Sequence, residues 1–104
     1  MKIRIEDHVK FDGAKMAKLA LATTARAQLD LYCVAPGQYQ KPHTHADQDK
    51  FYFVVEGQGD FTVGPEARQA GPGVTVWAPA GAPHGVANHG SARLVLLVGI
   101  APWK

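Results

Sequence analysis

Apolar positions along this chain come in short runs, and glycine or proline closes most of them. Runs rich in Val, Leu, Tyr and Phe occupy 29–35, 50–55, 60–63, 74–78 and 93–101. Between them stand "APGQ" (35–38), "EGQG" (56–59), "VGPEA" (63–67), "AGPG" (70–73), "APAGAPHG" (78–85) and "NHGSA" (88–92). Short β-rich runs at close spacing, each bounded by turn residues, predict an all-β sandwich or barrel. The segment "GAKMAKLALATTARAQ" (13–28) is ambiguous. Its alanines suit a helix, whereas Ala17, Leu19, Leu21 and Thr23 alternate with Lys18, Ala20 and Ala22 as in a strand. Two threonines and the β-rich surroundings favour the strand. "FVVEGQGDFTVG" (53–64) reads as a hairpin, two β-rich runs about a glycine-containing turn.

Composition narrows the class. A length of 104 residues predicts one domain, 1–104, with its core over about 29–101. The 11 basic and 9 acidic residues are too evenly balanced to suggest a nucleic-acid partner. Lys2, Arg4, Lys10, Lys15, Lys18 and Arg26 bias the N-terminal quarter toward positive charge, as a solvated face does. The one cysteine, Cys33, sits in the apolar run "LDLYCVA" and reads as a small buried hydrophobe. No apolar stretch has signal-peptide or membrane-spanning length, so a cytoplasmic protein without membrane contact is expected.

The candidate chemistry lies in histidines. On a strand, residues two apart face one side, so His43 and His45 can converge on one ion. Neutral imidazole suits Fe, Mn, Zn, Ni and Cu alike. A third ligand is offered by His84, which follows the turn "PAGAP". A bare pair of histidines is weak evidence, because surface pairs are common.

The wider pattern is more specific. Gly37, His43, His45 and Gly57 resemble the first cupin motif. Gly73, Pro79, Gly81, His84 and Asn88 match the second cupin motif at every fixed position. Together they cover 37–88, and the resemblance implies a small single-domain cupin with a double-stranded β-helix of the jelly-roll type. It also implies one divalent metal ion on His43, His45 and His84, a small-molecule ligand or substrate, and a homodimer. The glycines read as turn residues, and Asn88 as a side chain that ties a turn.

One position departs from the family. Cupins usually supply a glutamate from the first motif, and counting back from Gly57 places Lys50 there. Alternation turns Lys50, Tyr52 and Val54 inward and Asp49, Phe51 and Phe53 outward. A three-histidine site could stand beside Lys50, as in some dioxygenases of the family. Alternatively a bulge could bring in Asp49, with Gln48 as a weak ligand, or the lysine could leave a metal-free binding protein. Unit charges 4 Å apart interact by about 4 kcal/mol at an effective dielectric near 20. A charged Lys50 is therefore expected to point away, pair with Asp47 or Asp49, or lose its proton, and snorkelling costs least. His89 reads as a solvated loop residue, and His8 has no assigned role. Tyr52, Phe61 and Trp77 read as core aromatics, with Tyr52 the best candidate for substrate contact. The expectation is a metal-binding cupin acting on a small organic molecule as a dioxygenase, with Lys50 and Tyr52 as catalytic candidates. A non-catalytic binding module is the alternative, and a sugar or ketone isomerase a weaker third.

Overall fold

The computed structural model describes residues 1–103. Among them lie nine strands: β1 Ala17–Thr23, β2 Gln28–Val34, β3 Tyr39–His43, β4 Asp49–Glu56, β5 Gly59–Val63, β6 Glu66–Ala70, β7 Thr75–Ala78, β8 His84–Ala87 and β9 Leu94–Ala101. A single 3-10 turn, Ile5–Asp7, precedes them, and no α-helix occurs among the described residues. Among the described residues no helix is long and apolar enough to cross a membrane. The fold is all-β as expected, each of the five apolar runs is a strand, and the ambiguous 13–28 segment supplies β1.

The strands form two antiparallel sheets, ordered β1-β2-β9-β4-β7 and β3-β8-β5-β6. Side chains from both sheets meet in one core that includes Tyr32, Val34, Tyr52, Val54, Phe61, Val86, Leu96 and Val98. On the outer face of the larger sheet, Leu31, Cys33 and Val95 are covered by Ile5, Val9 and Phe11 from the N-terminal segment. Cys33 is fully buried and its thiol pKa is raised, chiefly by that burial, which suits a packing role rather than a nucleophile.

The expected hairpin over 53–64 does not form. β4 pairs with β7 and β9, whereas β5 pairs with β6 and β8, so the chain changes sheets at "EGQG". Gly57 makes the corner at φ +88°, and a Cβ there would run into the Arg93 carbonyl oxygen. Only glycine tolerates both conditions. The local hairpin in this part of the chain is β5–β6, turned by Gly64 and Pro65.

β4 alternates as expected, with Lys50, Tyr52 and Val54 buried. Register across β2, β9 and β4 sets two inward rows, Gln28–Ile100–Lys50 and Asp30–Val98–Tyr52. The expected core role holds for Tyr52 and Phe61 but not for Trp77, which is 57% exposed. Trp77 pairs with outward Phe51 across β7 and β4, and their rings stack at 6.1 Å. Asn88 ties chain segments together as expected, donating to the Val34 and Ala92 carbonyls and accepting from the Gly90 N–H.

Candidate metal centre

The site starts from an edge strand of the smaller sheet. β3 carries Pro42, which lacks an N–H and is tolerated at an edge. Its neighbour β8 can approach closely because residue 85 is glycine. A Cβ there would lie 2.6 Å from the Gln40 carbonyl oxygen and 2.8 Å from the Pro42 nitrogen. That approach sets His43 directly opposite His84 in the ladder. His45 lies just past the end of β3 rather than on it, and the Gly81 N–H holds its carbonyl at 2.8 Å. The turn that aims His84 thus also fixes His45.

The three imidazoles converge, with ligand atoms all within 4.8 Å of one another. Two ligands on one ion at about 2.1 Å each stand at most about 4.2 Å apart, so small side-chain adjustments close the cluster. His43 Nδ1 lies 3.0 Å from the Lys41 carbonyl oxygen, and His84 Nδ1 lies 2.9 Å from that of Ala82. A carbonyl only accepts, so each Nδ1 carries the proton and donates it, leaving Nε2 with a free lone pair. His84 is 1% exposed, and its Nε2 has no hydrogen-bond partner. Burial, reinforced by the Lys50 charge, lowers the pKa of both His43 and His84. Neutral, oriented imidazoles with one orphaned buried nitrogen fit a divalent ion.

Lys50 and Tyr52 form the adjoining wall. Lys50 is 2% exposed, so it does not snorkel, and no ion pair joins it to Asp47 or Asp49 among the described residues. The reason is the strand register, which aims residue 50 at the core. Its ammonium lies 5.0 Å from the centroids of both the Tyr32 and Tyr52 rings. Its one hydrogen bond is long, 3.4 Å to Gln40 Oε1. Desolvation, with the Lys18 charge in support, pushes the Lys50 pKa down to about 8. Tyr52 Oη donates to the same Gln40 oxygen at 3.0 Å, and its ring meets His84 edge-on at 6.3 Å. Burial raises the Tyr52 pKa far above the ordinary tyrosine range and pushes Tyr32 up to about 12, so both hydroxyls stay protonated.

The other expected ligands are engaged elsewhere. Asp49 is exposed and accepts from the Ala80 N–H at 2.8 Å, while Gln48 donates to the Trp103 carbonyl at 3.0 Å. No bulge turns Asp49 inward. His89 is exposed and pairs with Asp60, and exposed His8 lies outside the cluster. Sequence reading missed Gln40, Tyr32 and Gly85. Gln40 sits in the polar strand "YQKPH", where no alternation marks an inward position.

The chain is a member of the cupin family: the family's Cupin domain matches residues 30–100. It is 41% identical to TT1209 from Thermus thermophilus, whose crystal structure superposes with a TM-score of 0.94 over 98% of both chains. An RmlC-like cupin from Desulfovibrio desulfuricans is 27% identical, with a TM-score of 0.86 over 98% of this chain and 97% of that one. An uncharacterized Streptomyces coelicolor protein is 44% identical over 63 residues, 61% of this chain and 56% of that protein. The match therefore spans just over half the length of that curated relative.

Proposed function

We propose that this cupin holds one divalent ion on His43, His45 and His84 and acts there on a small organic molecule. The observation that carries the reading is the partnerless Nε2 of buried His84, beside two more imidazoles. Iron, manganese, zinc, nickel and copper all suit neutral imidazole, and three protein ligands leave positions free for substrate. When bound, such an ion supplies Lewis-acid polarisation and, if redox-active, the chemistry a dioxygenase needs.

The chain's own groups divide the remaining work. The Tyr52 hydroxyl, held protonated by burial, is a donor that orients a substrate oxygen. Lys50, with its pKa lowered to about 8, is the group suited to exchange a proton near neutral pH. The alternative, a binding module without chemistry, draws support from the same lysine, which stands where many cupins place a carboxylate.

Elemental analysis before and after chelation and reloading tests the metal reading. One ion per chain is expected, lost in His45→Ala and His84→Ala and kept in His8→Ala and His89→Ala. Equal losses in all four variants would sink it. Oxygen uptake by iron-loaded protein with enolisable organic acids then separates the two functions, since binding without turnover selects the binding module.

A further inference from the structure

The larger sheet ends at β1 and the smaller at β3, so the barrel has an open seam between these two edges. A cleft of about 840 Å³ lies there, lined by Lys10, Lys15, Met16, Lys18, Tyr39 and Gln40 among others. Three of these are lysines, and Asp12 is the cleft's one acidic residue. Gln40 belongs to both worlds: it lines the cleft, and its amide oxygen receives the inward donors Tyr52 Oη and Lys50 Nζ. Gln40 thus stands between the cleft and the buried Lys50 and Tyr52, which do not themselves line it.

Among the described residues the Lys50 ammonium has no direct ion pair. It carries three N–H donors, yet its one acceptor is a neutral amide oxygen at 3.4 Å. Asp30 shares the inward face of the sheet and its charge favours the ammonium, but its Oδ1 accepts from Gln28 Nε2 at 2.6 Å and no direct ion pair joins it to Lys50. Lys18 adds a second cation, 5.5 Å from the Tyr32 ring centroid that Lys50 also faces. Buried charges are ordinarily paired. A lysine and a tyrosine hydroxyl on one weak neutral acceptor, with a second lysine across the Tyr32 ring, form an arrangement that a bound anion completes.

We infer that Lys50, Lys18 and Tyr52 form an anion subsite, entered through the seam between β1 and β3, that recognises the carboxylate of a small organic acid. The acid displaces the Gln40 amide oxygen and takes over its donors, while its apolar body lies along Met16 and Phe11 in the cleft. This deepens the functional reading above, because Tyr52 also borders the imidazole cluster through His84. It names the substrate class as carboxylic acids with an apolar tail.

The test is calorimetric titration of chelator-treated protein with acetate, butanoate, hexanoate and hexanamide. Hexanoate should bind at least tenfold more tightly than hexanamide, and affinity should rise roughly fourfold per added methylene along the acid series. Lys50→Met should abolish the preference for acid over amide, and Lys18→Ala, a change at an exposed position, should weaken hexanoate several-fold. Equal binding of hexanoate and hexanamide, or unchanged hexanoate affinity in both variants, overturns the inference. The His43→Ala, His84→Ala double variant separates the two readings: it should lose metal yet keep its preference for hexanoate. A wild type that binds no metal but prefers the acid removes the metal reading alone. A wild type that binds metal and shows no such preference removes this one alone.

Discussion

Replacing Lys50 with methionine should stabilise the metal-free protein, and by an amount that depends on pH. The native lysine is a buried ammonium with its pKa lowered from the ordinary 10.5 to about 8, mainly by desolvation. At ~1.36 kcal/mol per pH unit that gap is worth roughly 3 kcal/mol. Because the folded pKa lies below the unfolded one, the folded state sheds its proton first. Wild-type stability gains from this group as pH rises between about 8 and 10.5, and the full penalty stands below 8.

Lys50→Met removes the penalty and fills similar space, but also loses the Gln40 hydrogen bond and two ring contacts, worth about 1–2 kcal/mol together. Near pH 7 the variant should therefore be more stable by about 1–2 kcal/mol, or several degrees in Tm for a chain this size. Urea unfolding of both proteins in chelator from pH 7 to 10.5 measures the difference. Tyr32, Tyr52 and Cys33, whose pKa values are raised, push stability down at high pH, but they do so in both proteins and cancel. The variant's advantage should shrink steadily above pH 8 and reverse by 10.5. A difference that stays constant across the range would mean that Lys50 titrates as an ordinary lysine and that its burial carries no such cost.

Two further outcomes test how the imidazoles are held. His43 and His84 are held below the ordinary histidine range by burial, and a bound ion lowers them further. The metal-induced rise in Tm should thus be full above pH ~6.5 and fade as pH falls through the folded values; a constant rise down to pH 4.5 would exclude imidazole ligation. Gly85→Ala should cost about 1–3 kcal/mol and weaken metal binding at least tenfold, since its methyl must force β3 from β8; metal affinity equal to wild type by competition titration would show that the close approach does not set the site.

Much of the fold is legible in the sequence because its central strands announce themselves. β2, β4 and β9 carry dense apolar runs, and the period of two along β4 is enough to turn Lys50 inward. β3 and β6 give no such signal. They are sheet edges, mostly exposed, and "YQKPH" and "EARQA" look like loops. The false hairpin fails for a related reason: sheet membership is decided by partners far along the chain, and a corner glycine reads like a turn glycine. At the site, the three histidines are visible as ligand types at familiar spacing. What Lys50 does is not. Its fate depends on Tyr32 from β2 and Gln40 from β3, which no local pattern joins to it.

The lysine at this position also changes how the parts of the site depend on one another. A carboxylate would offset a divalent ion's charge, so the metal could sit in the empty pocket at low electrostatic cost. Here imidazole ligands bring no negative charge, the Asp30 carboxylate makes no direct ion pair with the buried ammonium, and Lys50 already pulls down the affinity of His43 and His84 for protons. An ion on the imidazoles and a proton on Lys50 therefore oppose each other, and an organic anion between them relieves both. Two ligands that each lower the other's cost must bind cooperatively, and by thermodynamic reciprocity the factor is the same in either order. Hexanoate should thus tighten manganese binding by the factor by which manganese tightens hexanoate binding, and Lys50→Met should reduce that factor. Independent binding of the two, seen as identical manganese isotherms with and without saturating hexanoate, would mean that the anion and the metal do not share a site.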